Sequence, residues 1–145
     1  MDAQIRFKQV FAAGLGAAAI ALAGCAAMMA TKNVDVSLSG GEQVPAVSTA
    51  AHGKGSFTVH EDHSVSGSVT VSGLSPVAAH IHVGARGKNG PVAIGLTKSS
   101  DSIWVVPAGA KFNDDQYKAF MAGETYVNFH TAANKGGEIR AQLQP

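Results

Sequence analysis

Cysteine is almost missing from this 145-residue chain: Cys25 is the only one. No disulfide can form within one chain, so stability must come from apolar burial and sheet hydrogen bonding. An excess of one charge is missing too. With Asp2, Arg6 and Lys8 set aside, the eleven basic and ten acidic residues become nine and nine. No basic stripe is left to neutralise phosphates, which argues against nucleic acid as a partner. The apolar run ahead of Cys25 is short: Val10 to Leu22 spans about 13 residues, where a helix that crosses a bilayer needs roughly 20. Catalytic signatures are scarce as well. No serine sits in a Gly-x-Ser-x-Gly setting, so hydrolase chemistry has no support. The glycine-rich stretch Gly84 to Gly90 lacks the Gly-Lys-Ser/Thr ending and the following helix of a phosphate cradle. It reads as an exposed turn carrying Arg86 and Lys88.

What is present begins with the leader. A short charged start, the apolar run and Leu22-Ala23-Gly24-Cys25 have the order of a secretory signal. The tetrapeptide resembles the bacterial lipobox, in which the signal is cut before the cysteine and the thiol carries a lipid. That resemblance implies a signal peptide over residues 1–24, a lipidated tether over 25–33 and one domain over 34–145. It also implies a cell-envelope location with the lipid on Cys25 as membrane anchor. Ala26 rather than Asp follows the cysteine, and the resemblance to sorted lipoproteins then implies the outer membrane.

The domain reads as strands. Val34 to Leu38 alternates apolar and polar residues, and Lys54 to His60 with Val65 to Val71 reads as a hairpin across the turn Glu61-Asp62-His63-Ser64. Glu42 to Ala51, with Pro45 and many small residues, reads as a loop. Ala78 to Val83, Val92 to Leu96 and Ile103 to Val106 follow as short strands, and then Tyr126 to Thr131 and Glu138 to Leu143. One helix is expected, capped by Asn113, with Asp114 and Asp115 at its positive end, Tyr117, Phe120 and Met121 on one face, and Gly123 as its stop. Short strands with glycine-rich turns predict an all-β antiparallel Greek-key β-sandwich with one short helix.

His80 and His82 are two apart in an extended segment, so both rings point to one side. If Val127 and Phe129 face the core, then Tyr126, Asn128 and His130 face away from it, as do Glu138, Arg140 and Gln142 on the last strand. Three strands would thus pool polar faces around His80, His82 and His130. Three imidazoles with an open position suit copper or zinc, and divalent copper binds an unconstrained nitrogen site more tightly than zinc. Glu138 is expected to orient one ring or to act as a fourth ligand. The competing reading needs no metal: the histidines simply hydrogen-bond Glu138, Asn128 and Tyr126 across the sheet. His60 and His63 beside Glu61 and Asp62 read as a solvated turn, and His52 as a lone loop residue.

Four motifs carry a resemblance to a known family. Leu38-Ser39-Gly40-Gly41-Glu42-Gln43-Val44-Pro45 comes first, and Ala79-His80-Ile81-His82-Val83-Gly84 with Asn89-Gly90-Pro91-Val92 second. Ala122 to Thr131 and Gly136 to Leu143 complete the set. In this order they resemble the CHRD domain, named for its repeats in chordin and found singly in many bacterial exported proteins. The resemblance spans nearly all of Val34 to Leu143, with Phe129 and Ala141 standing where other residues are common. It implies an extracytoplasmic all-β domain and little about activity. A looser likeness, of topology alone, is to the copper site of Cu/Zn superoxide dismutase.

Three functions follow from these readings. The first is a lipid-anchored envelope protein that binds a transition metal, copper before zinc. The second is a metal-free module that holds an envelope protein partner. The third, a dismutase-type copper enzyme, is weakened because no counterpart to a bridging histidine and an aspartate-containing zinc site is evident.

Overall fold

The computed structural model describes residues 30–145, in which nine strands and one α-helix follow the order β1 to β7, α1, β8, β9. Cys25, the leader and most of the tether lie outside the described residues. Strand β1 (Thr31–Ser39) buries Val34, Val36 and Leu38 at every second position, as alternation requires. It pairs antiparallel with β2 (His52–His60) over nine positions, from Thr31 opposite His60 to Ser39 opposite His52. β2 and β3 (Val65–Ser72) form the expected hairpin. The Asp62 carboxylate closes its turn by accepting from the Ser64 amide and hydroxyl.

All strands join one antiparallel sheet, in the order β5-β4-β8-β9-β1-β2-β3-β7-β6. Its two outermost strands are β5 (Val92–Gly95) and β6 (Thr97–Lys98), which only Leu96 separates in the chain. The sheet must therefore curl until its ends meet, forming a nearly closed barrel. A ring contact across the interior agrees: Trp104 of β7 (Ile103–Val105) stands edge-on to Phe129 of β8 (Thr125–Thr131), 5.9 Å between centroids. Phe57, Val69, Ile81, Val127, Phe129 and Ile139 fill that interior and are 0–1% exposed. Each such side chain contributes about 1.5–3 kcal/mol of burial free energy. Helix α1 (Asp114–Met121) closes one side with Phe120 buried. Its Asn113 cap and Gln116 form a reciprocal capping box, which satisfies donors the first turn leaves free.

Several expectations change in detail. β1 begins three residues inside the segment read as tether, because Thr31 to Asn33 still find partners on β2. His52 opens β2 and is no loop residue. The short strand β6 is absent from the sequence reading; two exposed residues carry no alternation. Met121 is 42% exposed and does not share the face of Phe120.

The largest change concerns the outer polar face of β8 and β9 (Ile139–Leu143). Alternation is as predicted, yet Tyr126, Asn128, Arg140 and Gln142 are at most 8% exposed. Loops lie over them. The Gly84 and Ala85 carbonyls accept from Gln142 and Arg140, and Gln43 donates to Asn128 at 2.7 Å.

Candidate metal site

β4 (Pro76–Val83) and β8 are sheet neighbours in antiparallel register, with His82 opposite Tyr126, His80 opposite Asn128 and Ala78 opposite His130. His130 therefore sits diagonal to His80 on the face that carries both β4 histidines. The ring centroids are 5.0 Å apart for His80 and His130, 5.5 Å for His80 and His82, and 5.8 Å for His82 and His130. One nitrogen from each ring lies within 4.8 Å of one from each of the others. A trigonal or tetrahedral site with bonds of about 2.0–2.1 Å wants nitrogens about 3.4 Å apart. The rings need close in by little more than an ångström.

Backbone carbonyls fix two of the tautomers. His82 Nδ1 lies 3.0 Å from Gly90 O and His130 Nδ1 lies 2.8 Å from Lys135 O. A carbonyl only accepts, so both Nδ1 atoms carry the proton and Nε2 of each neutral ring keeps its lone pair. His130 Nε2 accepts from His80 Nδ1 at 3.1 Å. Among the described residues His82 Nε2 is buried without a hydrogen-bond partner, as are Trp104 Nε1 and Thr125 Oγ1; of the three it alone lies in the histidine cluster. Buried polar atoms are almost always hydrogen-bonded, and a buried acceptor left unpaired costs about 1–3 kcal/mol. Ring nitrogens tied through Nδ1–H to a carbonyl, with Nε2 free, are the arrangement that metal-binding histidines use.

The electrostatics favour the neutral form of His80 and His82. Burial pushes the imidazole of His80 below its ordinary value, and His130 adds to the effect. Burial does the same to His82, opposed by the Gly90 hydrogen bond and assisted by His80, His130 and Arg140. A neutral imidazole is the ligand form.

The two carbonyls come from glycine turns that the chain packs closely. A Cβ on Gly90 would sit 1.7 Å from Val83 O, and one on Gly137 would sit 2.1 Å from the Asn128 amide oxygen. Only glycine lets these loops reach the strands. Sequence reasoning brought His80, His82 and His130 together correctly, but missed Gly90 and Lys135 as the groups that orient them. No side chain signals a backbone acceptor. The glycines at 84, 87 and 90 were the available hint of a close approach.

Glu138 does not take the orienting role expected of it. Its carboxylate accepts from Thr131 at 2.7 Å, Thr49 at 2.9 Å and Asn134 at 3.2 Å. These donors hold it as a carboxylate below its ordinary range, Thr131 foremost, and tie the strand ends together. His63, read as part of a solvated turn, stacks on Tyr117 at 4.1 Å and lies 3.5 Å from Asp114. His60 lies 3.1 Å from the Thr31 hydroxyl.

Fold and site together define a nearly all-β domain with a three-histidine cluster able to hold a metal ion on the outer face of its barrel. The chain belongs to the CHRD domain family, whose model matches residues 34–143. No curated protein and no solved structure matches it.

Proposed function

We propose that this chain is a lipid-anchored envelope protein that binds a transition metal ion, copper foremost and zinc second, through His80, His82 and His130. One observation carries the reading: among the described residues His82 Nε2 is buried and unpartnered beside two further imidazoles, with Nδ1 already committed to Gly90. A sheet that used these histidines only for cross-strand hydrogen bonding would give that nitrogen a donor. The separation of His80 Nδ1 and His130 Nε2, 3.1 Å, supports it further. With bonds of about 2.05 Å it corresponds to an angle of about 98° at the metal. Binding replaces this hydrogen bond, and the His80 proton moves to the other nitrogen of its ring. Three imidazoles without a carboxylate favour copper over zinc by the order of divalent affinities. Lipidation of Cys25 in Leu22-Ala23-Gly24-Cys25 supplies the anchor.

The full chain, purified in detergent, is titrated with Cu(II), Cu(I) and Zn(II), and then again as His80→Ala, His82→Ala and His130→Ala. One ion per chain is expected, with affinity falling more than about a hundredfold in each variant, since loss of an outer partner alone costs 10–100-fold. Equal binding in all three variants would falsify the site. Cys25→Ser should move the protein from the membrane to the soluble fraction.

A further inference from the structure

Arg140 is 1% exposed, and among the described residues no carboxylate contacts its guanidinium. Nη1 donates to the Asn89 amide oxygen at 3.3 Å, and Nη2 donates to Ala85 O at 3.3 Å and to the Gln142 amide oxygen at 3.2 Å. The nearby carboxylate of Glu42 is engaged by Arg86. Arg140, Arg86 and Glu42 together thus carry one net positive charge. Neutral acceptors satisfy the hydrogen bonds of a buried cation but leave its field uncompensated.

That field points at the histidine cluster. Strand β8 lies between β4 and β9, and its Tyr126 ring is flanked from both. On one side the His82 ring stacks parallel, 3° between planes and 4.8 Å between centroids. On the other, the Arg140 guanidinium carbon lies 3.4 Å from the ring centre. The two distances add to about 8 Å between the charge and the ligand ring, with the buried Tyr126 ring between them.

Resting on the metal reading above, we propose that Arg140 selects the charge of the bound ion, biasing the His80, His82 and His130 site towards monovalent copper and against divalent copper and zinc. Three neutral imidazoles contribute no negative charge to offset a dication. Repulsion from a fixed positive charge scales with the charge of the ion, so the divalent form suffers twice the effect of the monovalent one. At an effective dielectric constant of about 20 and a distance near 9 Å, the difference is on the order of tenfold in relative affinity. Tenfold corresponds to about 59 mV in a one-electron potential. Arg140 touches no ligand nitrogen; it acts through space as a tuning residue.

The test uses the copper-loaded full chain in detergent and reads the Cu(II)/Cu(I) midpoint potential by spectroelectrochemistry. Arg140→Met should lower the potential by about 59 mV, and Arg140→Lys, which keeps the charge, should hold it near the unaltered value. Asn89→Asp places a carboxylate against Nη1 from an exposed loop position. It gives up the Asn89 amide's donation to Val44 O but leaves the core intact, should lower the potential in the same direction, and decides the question if Arg140→Met fails to fold. Copper bound normally, with an unmoved potential in Asn89→Asp and in any folded Arg140→Met, would overturn the role of Arg140 and leave the metal site standing. Failure of the unaltered chain to hold copper in either oxidation state would sink both.

Discussion

His80 Nδ1 and His130 Nε2 stand 3.1 Å apart although fifty residues separate them in the chain. The contact is a hydrogen bond, and in the proposed site the same two nitrogens form two corners of a coordination polyhedron. On the proposed reading, a bound ion replaces the hydrogen bond.

Metal should stabilise the fold measurably. An ion that binds only the native chain adds about 2.7 kcal/mol when present at a hundred times its dissociation constant. Thermal melting with and without Cu(II) should show an upward shift that His82→Ala abolishes. A shift of the same size in that variant would place the ion elsewhere.

Stability should also depend on pH through the same rings. In the folded chain His80 and His82 take up protons less readily than in the unfolded chain, where histidine titrates near pH 6.5. The unfolded state therefore binds more protons as pH drops, and stability falls with it. The urea midpoint should be flat above about pH 7, then decline below about 6.5 until the lowered folded values are passed. Metal affinity should fall across the same window, because protonated rings cannot ligate. A His80→Gln/His82→Gln double variant should show a shallower decline; an identical one would mean that other groups carry the dependence.

Gly90 should tolerate no side chain. A Cβ there meets Val83 O at 1.7 Å, so Gly90→Ala must displace the loop that gives His82 its acceptor. We expect a loss of about 2–4 kcal/mol in stability and of about 10–100-fold in metal affinity. Gly87, in the same loop, has φ near +76° and open space around its Cβ. Gly87→Ala should cost only about 1–2 kcal/mol from the left-handed backbone, with the metal untouched. Comparable losses in both variants would show that the loop matters only as a whole.

Much of this protein was legible in its residues. Valines at alternate positions marked β1 and the β2–β3 hairpin, and Asn113 marked the start of α1. Their signals are local, since side chains two apart share a face of any strand. The spacing of His80 and His82 belonged to the same class of information. The short strand β6 was not legible, because Thr97 and Lys98 owe their strand geometry to β7 alone.

The sequence by itself determined which residues of each strand share a face, and so which histidines point together, because alternation is set by backbone geometry within a few residues. Only the tertiary structure decided that β4 lies beside β8, which brings His130 to His80. It alone decided that loops from residues 43 and 84–90 roof the polar face and turn Arg140 from an outward charge into a buried one. These are contacts between chain segments tens of residues apart, fixed by the closure of the whole sheet, and no local pattern encodes them.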